Sequence, residues 1–457
     1  MRLVRTHRLD TAVEALTLAL LVYLPIAFAG VNMVWRAPGM LAAALLIALV
    51  ATNNRHYEKR HEKSALGDLV TARKALKLFG AFLLVILFQL TPVPRFLAEY
   101  FCVPGIALEG AMVPSHPVPA RGTVAALTWL IPFAVFFAIV STYRSQAQIR
   151  RLARVIVGVA CFEAVYGLVE WVSGHQHIFL VPKRAYVDVA TGTFVNRNHF
   201  AGYLEMAVGL LVGIGLFHYT HKRVKEGTLA GRGERLVLVA FGAMLALGAM
   251  AASGSRAAPL CLVTALLIAG LLVFHGGQRK GFFIAVAAVA LLGIAFSFWI
   301  GADPLIQRYG EVAENARAGD ARPRVFWGTF KMWLAAPVLG TGAGAFGDVF
   351  PLFRPESVLA YYDHAHNDYL EILAETGMAG FAAISSGVVL LMISAYRAGR
   401  RRTSRFARCY ALGAMIGVIS LSLHGLVDFN LTIPANQATF FALLGLATVA
   451  SGRRLYR

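Results

Sequence analysis

Long apolar segments recur along the whole chain and constrain its fold more than any other feature of the sequence. A helix of roughly 20 apolar residues crosses the hydrocarbon core of a bilayer, and about twelve such segments follow one another here. A segment inside the bilayer must satisfy its own backbone hydrogen bonds, so we expect an all-α polytopic membrane protein with about 12 transmembrane helices. The predicted spans are residues 11–29, 36–52, 75–92, 123–142, 155–173, 200–217, 236–252, 258–274, 282–301, 379–396, 409–424 and 435–451.

The spans and the loops between them divide the chain into three parts. Residues 1–189 hold the first five spans and a proline-rich loop, 93–122, which predicts an irregular and stiff connection. Residues 190–396 hold spans six to ten and a large loop, 302–378, in which we expect short helices and any chemistry. Residues 397–457 hold the last two spans.

The net charge is strongly basic. The chain of 457 residues has 43 Lys and Arg against 24 Asp and Glu, a formal +19, which in a soluble protein would indicate nucleic-acid binding. Here 58% of the residues are hydrophobic, and most basic residues lie on short loops that alternate to one side of the spans, such as Arg400, Arg401 and Arg402. Short basic loops stay in the cytoplasm. The charge therefore predicts cytoplasmic N- and C-termini, two long extracytoplasmic loops and no nucleic-acid partner.

The sequence lacks the usual signatures of bound cofactors. Its four cysteines are scattered, so neither a disulfide framework nor a C-x-x-C metal site is predicted. It has no G-x-x-x-x-G-K-[ST] phosphate loop. Residues 340–344 (GTGAG) look superficially like a dinucleotide loop, but they follow Pro337 in an extracytoplasmic loop without a βαβ unit. We interpret them as a flexible turn and expect no cofactor.

The most informative stretch, residues 363–377 (DHAHNDYLEILAETG), predicts a short helix with a histidine at its start. Asn367 or Asp368 can cap the helix, Glu371 follows Asp368 at the spacing of a capping box, and Gly377 can end it. The positive end of the helix dipole disfavours an imidazolium. We therefore expect His366 to be neutral and able to accept a proton as a general base.

Two other interpretations of the same stretch stay open. His364 and His366 could merely hydrogen-bond at the membrane surface. They could also bind a metal with a nearby Asp, although the sequence offers no obvious third ligand. We predict no metal site.

Arginines at predicted helix starts indicate an anion site. Arg256 follows Ser255, which can cap the eighth span, and a cation in a first helical turn is repelled by the dipole unless an anion binds there. At the membrane boundary a guanidinium can bind a diphosphate. The alternative is that Arg256 only extends toward the lipid headgroups. Arg197 lies at the same boundary beside Asn198, which can cap the sixth span. Two arginines can share one anion.

Further polar residues could support this anion site. Arg322 and Arg324 add cations from the large loop, although loop arginines are commonly just solvated. Glu205 lies seven residues after Asn198, within a span, and could brace the arginines. The intramembrane Glu163 and Glu170 would normally pair with other helices or face an aqueous cavity; we favour pairing over a proton path.

Four stretches resemble the O-antigen ligase and O-antigen polymerase superfamily of bacterial envelope glycan enzymes. They are residues 192–204 (GTFVNRNHFAGYL), 253–257 (SGSRA), 324–346 (RVFWGTFKMWLAAPVLGTGAGAF) and 364–377 (HAHNDYLEILAETG). The resemblance implies an inverting, metal-independent glycosyltransferase of the bacterial inner membrane, with a periplasmic active site and a glycan donor linked to undecaprenyl diphosphate.

The resemblance also implies roles for matching residues. His366 becomes the catalytic base, and Arg256 and Arg197 bind the diphosphate with Arg324 as a weaker candidate. The supporting residues are His364, Asn198, Asn367, Glu205 and Arg322. The roles inferred above from the helix starts and charges agree with those that the resemblance implies. Transfer of a sugar from a diphosphate needs only a base for the acceptor hydroxyl and cations for the leaving group.

The acceptor is not fixed by these motifs. Ligases transfer the glycan to the lipid A-core of lipopolysaccharide, polymerases to another lipid-linked unit, and other relatives to Ser or Thr of exported proteins. We favour the ligase, because the long loop lies between the ninth and tenth spans as in ligase-like members. A transporter of a lipid-linked sugar or small anion is the alternative from another class, but the two halves of the chain do not repeat each other.

Overall fold

The computed structural model describes the chain in several stretches and is mostly helical. Helix is what a chain with long apolar segments must form if it spans a bilayer. The described residues are 8–59, 65–96, 111–220, 229–273, 321–401, 403–453 and 455–456, with positions 283 and 287.

Helices account for nearly all regular structure among the described residues. The α-helices are α1 (Arg8–Ile26), α2 (Met33–Lys59), α3 (Val70–Leu90), α4 (Pro119–Thr142), α5 (Gln146–Ser173), α6 (Arg197–Thr220), α7 (Leu229–Ala252), α8 (Ala257–Val273), α9 (Arg322–Ala335), α10 (Phe346–Val349), α11 (Asp368–Arg401), α12 (Arg405–His424) and α13 (Pro434–Gly452). Short 3-10 helices cover Phe28–Gly30, Ala65–Asp68, Phe350–Leu352 and Asn430–Thr432. The strands β1 (Val93–Pro94) and β2 (Met112–Val113) pair antiparallel, as do β3 (His177–Ile178) and β4 (Val181–Pro182).

Eight of the described helices are long and apolar enough to cross a membrane, namely α1, α2, α4, α5, α6, α7 (its part from Gly233), α11 and α12. This finding fits the predicted all-α polytopic membrane protein. The predicted spans 75–92, 258–274 and 435–451 coincide with α3, α8 and α13. The predicted ninth span, 282–301, lies outside the described residues apart from positions 283 and 287, so the count of twelve stays a prediction.

One of the two predicted loops differs from expectation, and the described part of the other agrees with it. The proline-rich loop is not wholly irregular, because its ends pair as β1 and β2, with Val93 opposite Val113. The described part of the large loop holds α9, α10 and a 3-10 helix, as predicted. These elements also share a small apolar core of their own, which includes Val325, Met332 and Phe346.

Helices α6 and α12 pack in close contact through glycines. Gly209 and Gly213 on α6 face Gly413 and Gly417 on α12, and a Cβ added at Gly209 would lie 2.5 Å from the backbone nitrogen of Gly417. Small residues four apart let membrane helices approach this closely. The contact fixes the start of α6 relative to the end of α12, which is where the polar residues described below meet.

The intramembrane carboxylates Glu163 and Glu170 are paired, but with residues of the connection between α5 and α6 and not with other helices as predicted. Glu163 accepts hydrogen bonds from the backbone N–H and the hydroxyl of Thr193, at 2.8 and 2.6 Å. Glu170 lies 3.0 Å from Nζ of Lys183, with both side chains almost fully buried. Such pairing offsets the cost of placing a carboxylate in an apolar interior.

The connections that carry the motifs lie at one end of the bundle. The hydroxyl oxygen of Thr193 lies 2.7 Å from the carbonyl oxygen of Pro25, near the end of α1, and the N–H of Ala190 donates to the carbonyl of Ala252 at the end of α7. We call this the motif end. Its partner elements come from distant parts of the sequence, so only the folded chain can assemble a site there.

Candidate active site

The start of α6 delivers Arg197 and Asn198 to the motif end. The side chain of Asn196 accepts a hydrogen bond from the N–H of Asn198, at 2.8 Å, so Asn196 caps the helix. The prediction that Asn198 caps it is wrong, because the helix begins one residue earlier, at Arg197. Asn198 is thereby free to donate from Nδ2 to Oδ2 of Asp428, at 2.6 Å.

The start of α11 positions the two predicted histidines. Asn367 caps the helix, since its Oδ1 accepts from the N–H groups of Tyr369 and Leu370 at 3.1 Å each. The predicted capping box of Asp368 and Glu371 is wrong. With the cap at Asn367, Glu371 lies one position too late for a box, and it accepts instead from the N–H of Ala365 at 2.7 Å.

Gly377 interrupts α11, where a helix end was predicted. Its φ of 62° and ψ of −172° break the helical hydrogen bonding, and a helical segment continues directly beyond it to Arg401. The predicted short helix is therefore the first part of α11.

A short turn between α12 and α13, residues 425–431, completes the site. The N–H of Asp368 donates to the carbonyls of Gly425 and Asp428, at 2.8 and 3.2 Å. In return the carboxylate of Asp368 accepts from the N–H of Leu431 at 3.0 Å. These bonds hold the turn against the start of α11 and place Asp428 beside His366.

His366 and Asp428 form a hydrogen-bonded pair, with Nδ1 and Oδ1 3.3 Å apart. Burial alone would raise the pKa of the Asp428 carboxyl, but the hydrogen bond from His366 and the nearby His199 and His424 hold it below its usual range. A carboxylate can only accept hydrogen bonds, so His366 must donate from Nδ1. Its Nε2 then keeps a lone pair that can accept a proton.

The pair is held in a strained but accessible position. His366 has a φ of 54°, in the left-handed region that side-chain-bearing residues rarely adopt, and such strain is typical of functional sites. Its side chain is 21% exposed, whereas that of Asp428 is 2% exposed. The base is therefore open to a substrate while its carboxylate partner is buried.

Phe429 contacts three imidazole rings at once. The ring of His364 stacks on it with a centroid distance of 4.2 Å, and the rings of His366 and His199 meet it edge to face at 4.8 and 4.5 Å. Nε2 of His199 lies 3.8 Å from Oδ1 of Asp428. One aromatic side chain thus fixes the mutual positions of three histidines.

His364 adds a positive charge beside the pair. Its Nδ1 lies 2.6 Å from Oε1 of Glu371. Burial alone would lower the pKa of His364, but the carboxylate of Glu371 raises it to about 9. His364 is therefore an imidazolium near neutral pH. The role of general base expected of His366 requires instead a neutral imidazole.

Tyr186 marks where the arginines converge. The guanidinium of Arg197 lies 5.7 Å from the centroid of the Tyr186 ring. Burial raises the pKa of the Tyr186 phenol, the Asp428 carboxylate raises it further, and Arg197 and Arg322 oppose them. Arg197 and Arg322 therefore share one region of the site with Asp428.

Arg324 and Arg256, the other two predicted diphosphate-binding residues, differ in their exposure to solvent. Arg324 lies half-buried in the first turn of α9, beside Arg322. Arg256 is exposed directly before α8. The predicted cap by Ser255 is wrong, because its buried hydroxyl makes no hydrogen bond with any described residue; its backbone N–H instead donates to the hydroxyl of Ser253, 3.1 Å away.

The sequence of this region matches a known family. Residues 241–385 match the family model described as O-antigen ligase, and these residues include Arg256, Arg324 and His366. This match supports the O-antigen ligase superfamily for that part of the chain. No curated protein matches the chain. The family domain supports an O-antigen ligase- or polymerase-type glycosyltransferase in a multi-pass membrane protein, with lipid-linked glycans and their acceptors as partners in general terms.

Glu205, which we expected to brace the arginines, pairs with a histidine. Oε1 of Glu205 lies 3.2 Å from Nδ1 of His424, and both side chains are fully buried. The carbonyl of His424 accepts from the N–H groups of Val427 and Asp428, at 3.0 and 3.1 Å. Glu205 therefore supports the turn that carries Asp428.

The glycine-rich stretch 340–344 is a turn, as predicted, but a fixed one. Gly340, Gly342 and Gly344 all have positive φ. The turn is tied to α11, since the N–H of Gly342 donates to the carbonyl of Glu375 at 3.0 Å. It is also tied to α3, because the N–H of Ala343 donates to Oε1 of Gln89 at 3.1 Å. The stretch is therefore held between α11 and α3.

Sequence reasoning missed Asp428, Phe429 and the role of His199. These residues pair across long separations, such as the 62 residues between His366 and Asp428, which no helical spacing reveals. One signal was available: His424 and Asp428 are titratable residues on a very short connection between two apolar spans. Short connections with such residues warrant the same attention as long loops.

Proposed function

We propose that this protein transfers a glycan from undecaprenyl diphosphate to an acceptor hydroxyl at the periplasmic face of the bacterial inner membrane. The observation that carries the proposal is the His366–Asp428 pair, which is open to substrate and set beside arginines. His366 lies in the part of the chain that matches the O-antigen ligase family model. The termini lie in the cytoplasm in this proposal, as the basic short loops require.

His366 acts as the general base. Nε2 takes the proton of the acceptor hydroxyl while that oxygen attacks the anomeric carbon of the donor sugar. The bond between the anomeric carbon and the diphosphate oxygen breaks as the new glycosidic bond forms, so a single displacement inverts the configuration. Asp428 holds Nδ1 of His366 as a donor and stabilises the imidazolium that forms.

The arginines stabilise the departing diphosphate. Arg197 and Arg322 supply guanidinium groups near Tyr186, and a guanidinium can bind phosphate oxygens with two parallel hydrogen bonds. Arg256 and Arg324 are further candidates at the same end of the bundle. The His364 imidazolium contributes positive potential to the same region. Cations placed where negative charge develops lower the barrier without needing a metal ion.

The acceptor that we favour is the lipid A-core of lipopolysaccharide. The large loop lies directly before the helix that carries the base, as in ligase-like relatives. Polymerisation onto a second lipid-linked unit and transfer to Ser or Thr of exported proteins use the same chemistry and are the alternatives. A transporter is a weaker alternative, because the titratable cluster lies at one end of the bundle rather than at mid-depth.

Reconstitution in proteoliposomes tests the proposal. We expect the purified protein to move glycan from undecaprenyl diphosphate to lipid A-core, and His366→Ala to abolish transfer while the protein remains inserted. His218→Ala, the same change on the last turn of α6 at the other end of the bundle, is the matched control and should be active. Product on another acceptor class would select an alternative, and full activity of His366→Ala would remove the base assignment.

A further inference from the structure

A cavity with two arginines lies at the end of the bundle opposite to the motif end. It has a volume of about 470 Å³. Its walls are the last turns of α11, the first turn of α3 and the end of α13. Helix α11 begins at the motif end and continues for 34 residues to Arg401, so its last turns lie far from His366. The cavity therefore has no part in the glycan transfer proposed above.

The residues of α11 that line the cavity change in character along the helix. Leu390 and Ile393 come first, Ser394 follows, and Arg397 and Arg401 come last. These residues recur at steps of three or four, so they share one face of the helix. From Leu390 to Arg401 the face rises about 16 Å at 1.5 Å per residue. The acyl chain, the glycerol esters and the phosphate of a phospholipid follow one another in the same order.

Hydroxyl groups from three helices contribute to the polar part of the cavity. They belong to Ser394 of α11, Thr71 of α3 and Ser451 of α13. The hydroxyl of Ser394 donates to that of Thr71 at 3.2 Å, and the hydroxyl of Ser451 donates to the carbonyl of Ala447 at 2.6 Å. A hydroxyl has two lone pairs besides its one donor. The ester and glycerol oxygens of a lipid would therefore meet polar groups here, and not hydrocarbon alone.

The helices that form the cavity bring no carboxylate to the two arginines. Helices α3 and α13 contain no acidic residue, and the last acid of α11 is Glu375, near the motif end. Within the part of the chain that the structure describes, no ion pair includes Arg397 or Arg401. Like charges one turn apart on a helix repel each other. A phosphate between the two guanidinium groups removes this repulsion and can accept paired hydrogen bonds from each.

We propose that this cavity binds the headgroup of an anionic phospholipid in the leaflet opposite the candidate active site. Basic pockets between membrane helices bind such headgroups on the cytoplasmic side, and the basic short loops predict that this end of the bundle faces the cytoplasm. The phosphate lies between Arg397 and Arg401, and an acyl chain runs past Ile393 into the bilayer. The bound lipid joins α11 to α3 and α13 and so stabilises the bundle. The inference does not depend on the proposed function.

Neighbouring arginines on α11 allow a matched test. Arg400 is exposed like Arg397 and Arg401, but it does not line the cavity, and its guanidinium donates to the hydroxyl of Tyr396 at 3.3 Å. The variants Arg397→Gln, Arg401→Gln and Arg400→Gln are purified, delipidated and titrated in detergent with phosphatidylglycerol. Phosphatidylethanolamine, which has a phosphate but no net charge, and inorganic phosphate are the comparison ligands. Native mass spectrometry counts the bound lipids, and the rise of the thermal midpoint with ligand concentration gives the affinity.

Two adjacent small residues supply a second test that leaves the charge unchanged. Ala398 lines the cavity, whereas Gly399 does not, and a Cβ added at Gly399 meets no other atom within 4 Å. Ala398→Trp fills the cavity, and Gly399→Trp adds the same side chain outside it. Loss of the bound lipid in Ala398→Trp but not in Gly399→Trp is expected if the lipid lies in the cavity. Thermal unfolding without lipid checks that each variant is folded.

We expect the wild type to bind phosphatidylglycerol about tenfold or more tightly than either comparison ligand. Arg397→Gln and Arg401→Gln should each weaken this binding by about tenfold, because each removes hydrogen bonds from a charged donor, and Arg400→Gln should bind like the wild type. An equal loss in Arg400→Gln, or unchanged binding in the folded Arg397→Gln, Arg401→Gln and Ala398→Trp variants, would overturn the site. Inorganic phosphate or phosphatidylethanolamine binding as tightly as phosphatidylglycerol would overturn the anionic lipid as its occupant.

Discussion

Two histidine–carboxylate pairs meet at the same short turn, and they differ mainly in access. In the His366–Asp428 pair the nearest atoms lie 3.3 Å apart and the histidine is 21% exposed. In the His424–Glu205 pair they lie 3.2 Å apart and both side chains are fully buried. Each pair consists of an imidazole and a carboxylate, so the chemical groups alone do not distinguish a catalytic base from a residue that supports the structure. Exposure does: the first pair can reach a substrate, and the second can only hold the turn.

The largest expected effect comes from the open pair. Asp428→Asn removes the carboxylate that makes His366 donate from Nδ1, so Nε2 loses its fixed role as acceptor. We expect kcat to fall on the order of 10²- to 10⁴-fold, the usual contribution of general-base catalysis, with donor KM little changed. Initial rates in proteoliposomes measure this. A rate within a factor of a few of wild type would show that Asp428 does not orient the base.

The buried pair should respond in stability instead. Glu205→Gln removes the charge that faces His424, and leaving a buried polar group poorly paired costs about 1–3 kcal/mol. We therefore expect a lower thermal midpoint with near-normal turnover of the folded fraction. If Glu205→Gln lowered turnover as strongly as Asp428→Asn while its thermal midpoint stayed at the wild-type value, the structural role assigned to the buried pair would be wrong.

A third pair, His364 with Glu371, predicts a pH dependence of stability. The folded-state pKa of His364 is raised to about 9, above the ordinary value of about 6.5. The stabilisation is thus fully present below pH 6.5 and is lost as the pH rises through about 9. Thermal midpoints between pH 6 and 10 should decline more for wild type than for His364→Gln. Parallel curves for the two proteins would contradict the charge assigned to His364.

The smallest effect is expected from the aromatic side chain between the pairs. Phe429→Leu keeps an apolar residue but loses the stacking that positions His364, His366 and His199. Aromatic contacts of this kind contribute about 0.5–1.5 kcal/mol, so a reduction of several-fold in kcat is expected, with Phe429→Trp closer to wild type. If Phe429→Leu equals wild type in rate, the histidines are positioned without it.

The sequence was sufficient for the helices but not for the meeting of their ends. Spans such as α6 and α12 follow from apolar length alone, because the bilayer leaves a long apolar segment no other backbone structure. Arg197 and His366 stand at helix starts, as predicted, because those starts carry polar residues after long loops. Asn367, one of two predicted caps, does cap α11. The caps predicted at Asn198 and Ser255 were misplaced, since several neighbouring Asn, Asp and Ser residues can each cap a helix and packing decides among them.

Asp428 could not be predicted, because its role depends on tertiary contacts. It reaches His366 only because α6 and α12 pack through glycines and because Asp368 binds both ends of the 425–431 turn. The contacts of Asp368 have no local sequence pattern, and the glycines spaced four apart on each helix indicate a close approach without identifying the partner helix.

A double-mutant cycle on the open pair tests the central claim most directly. Transfer rates are measured for wild type, His366→Ala, Asp428→Asn and the double variant in the same proteoliposomes, with equal insertion verified. If Asp428 acts only through His366, the double variant is no slower than His366→Ala alone, because residues that act as a unit have non-additive effects. Losses that multiply in the double variant would contradict the account, since they would mean that the two residues act independently.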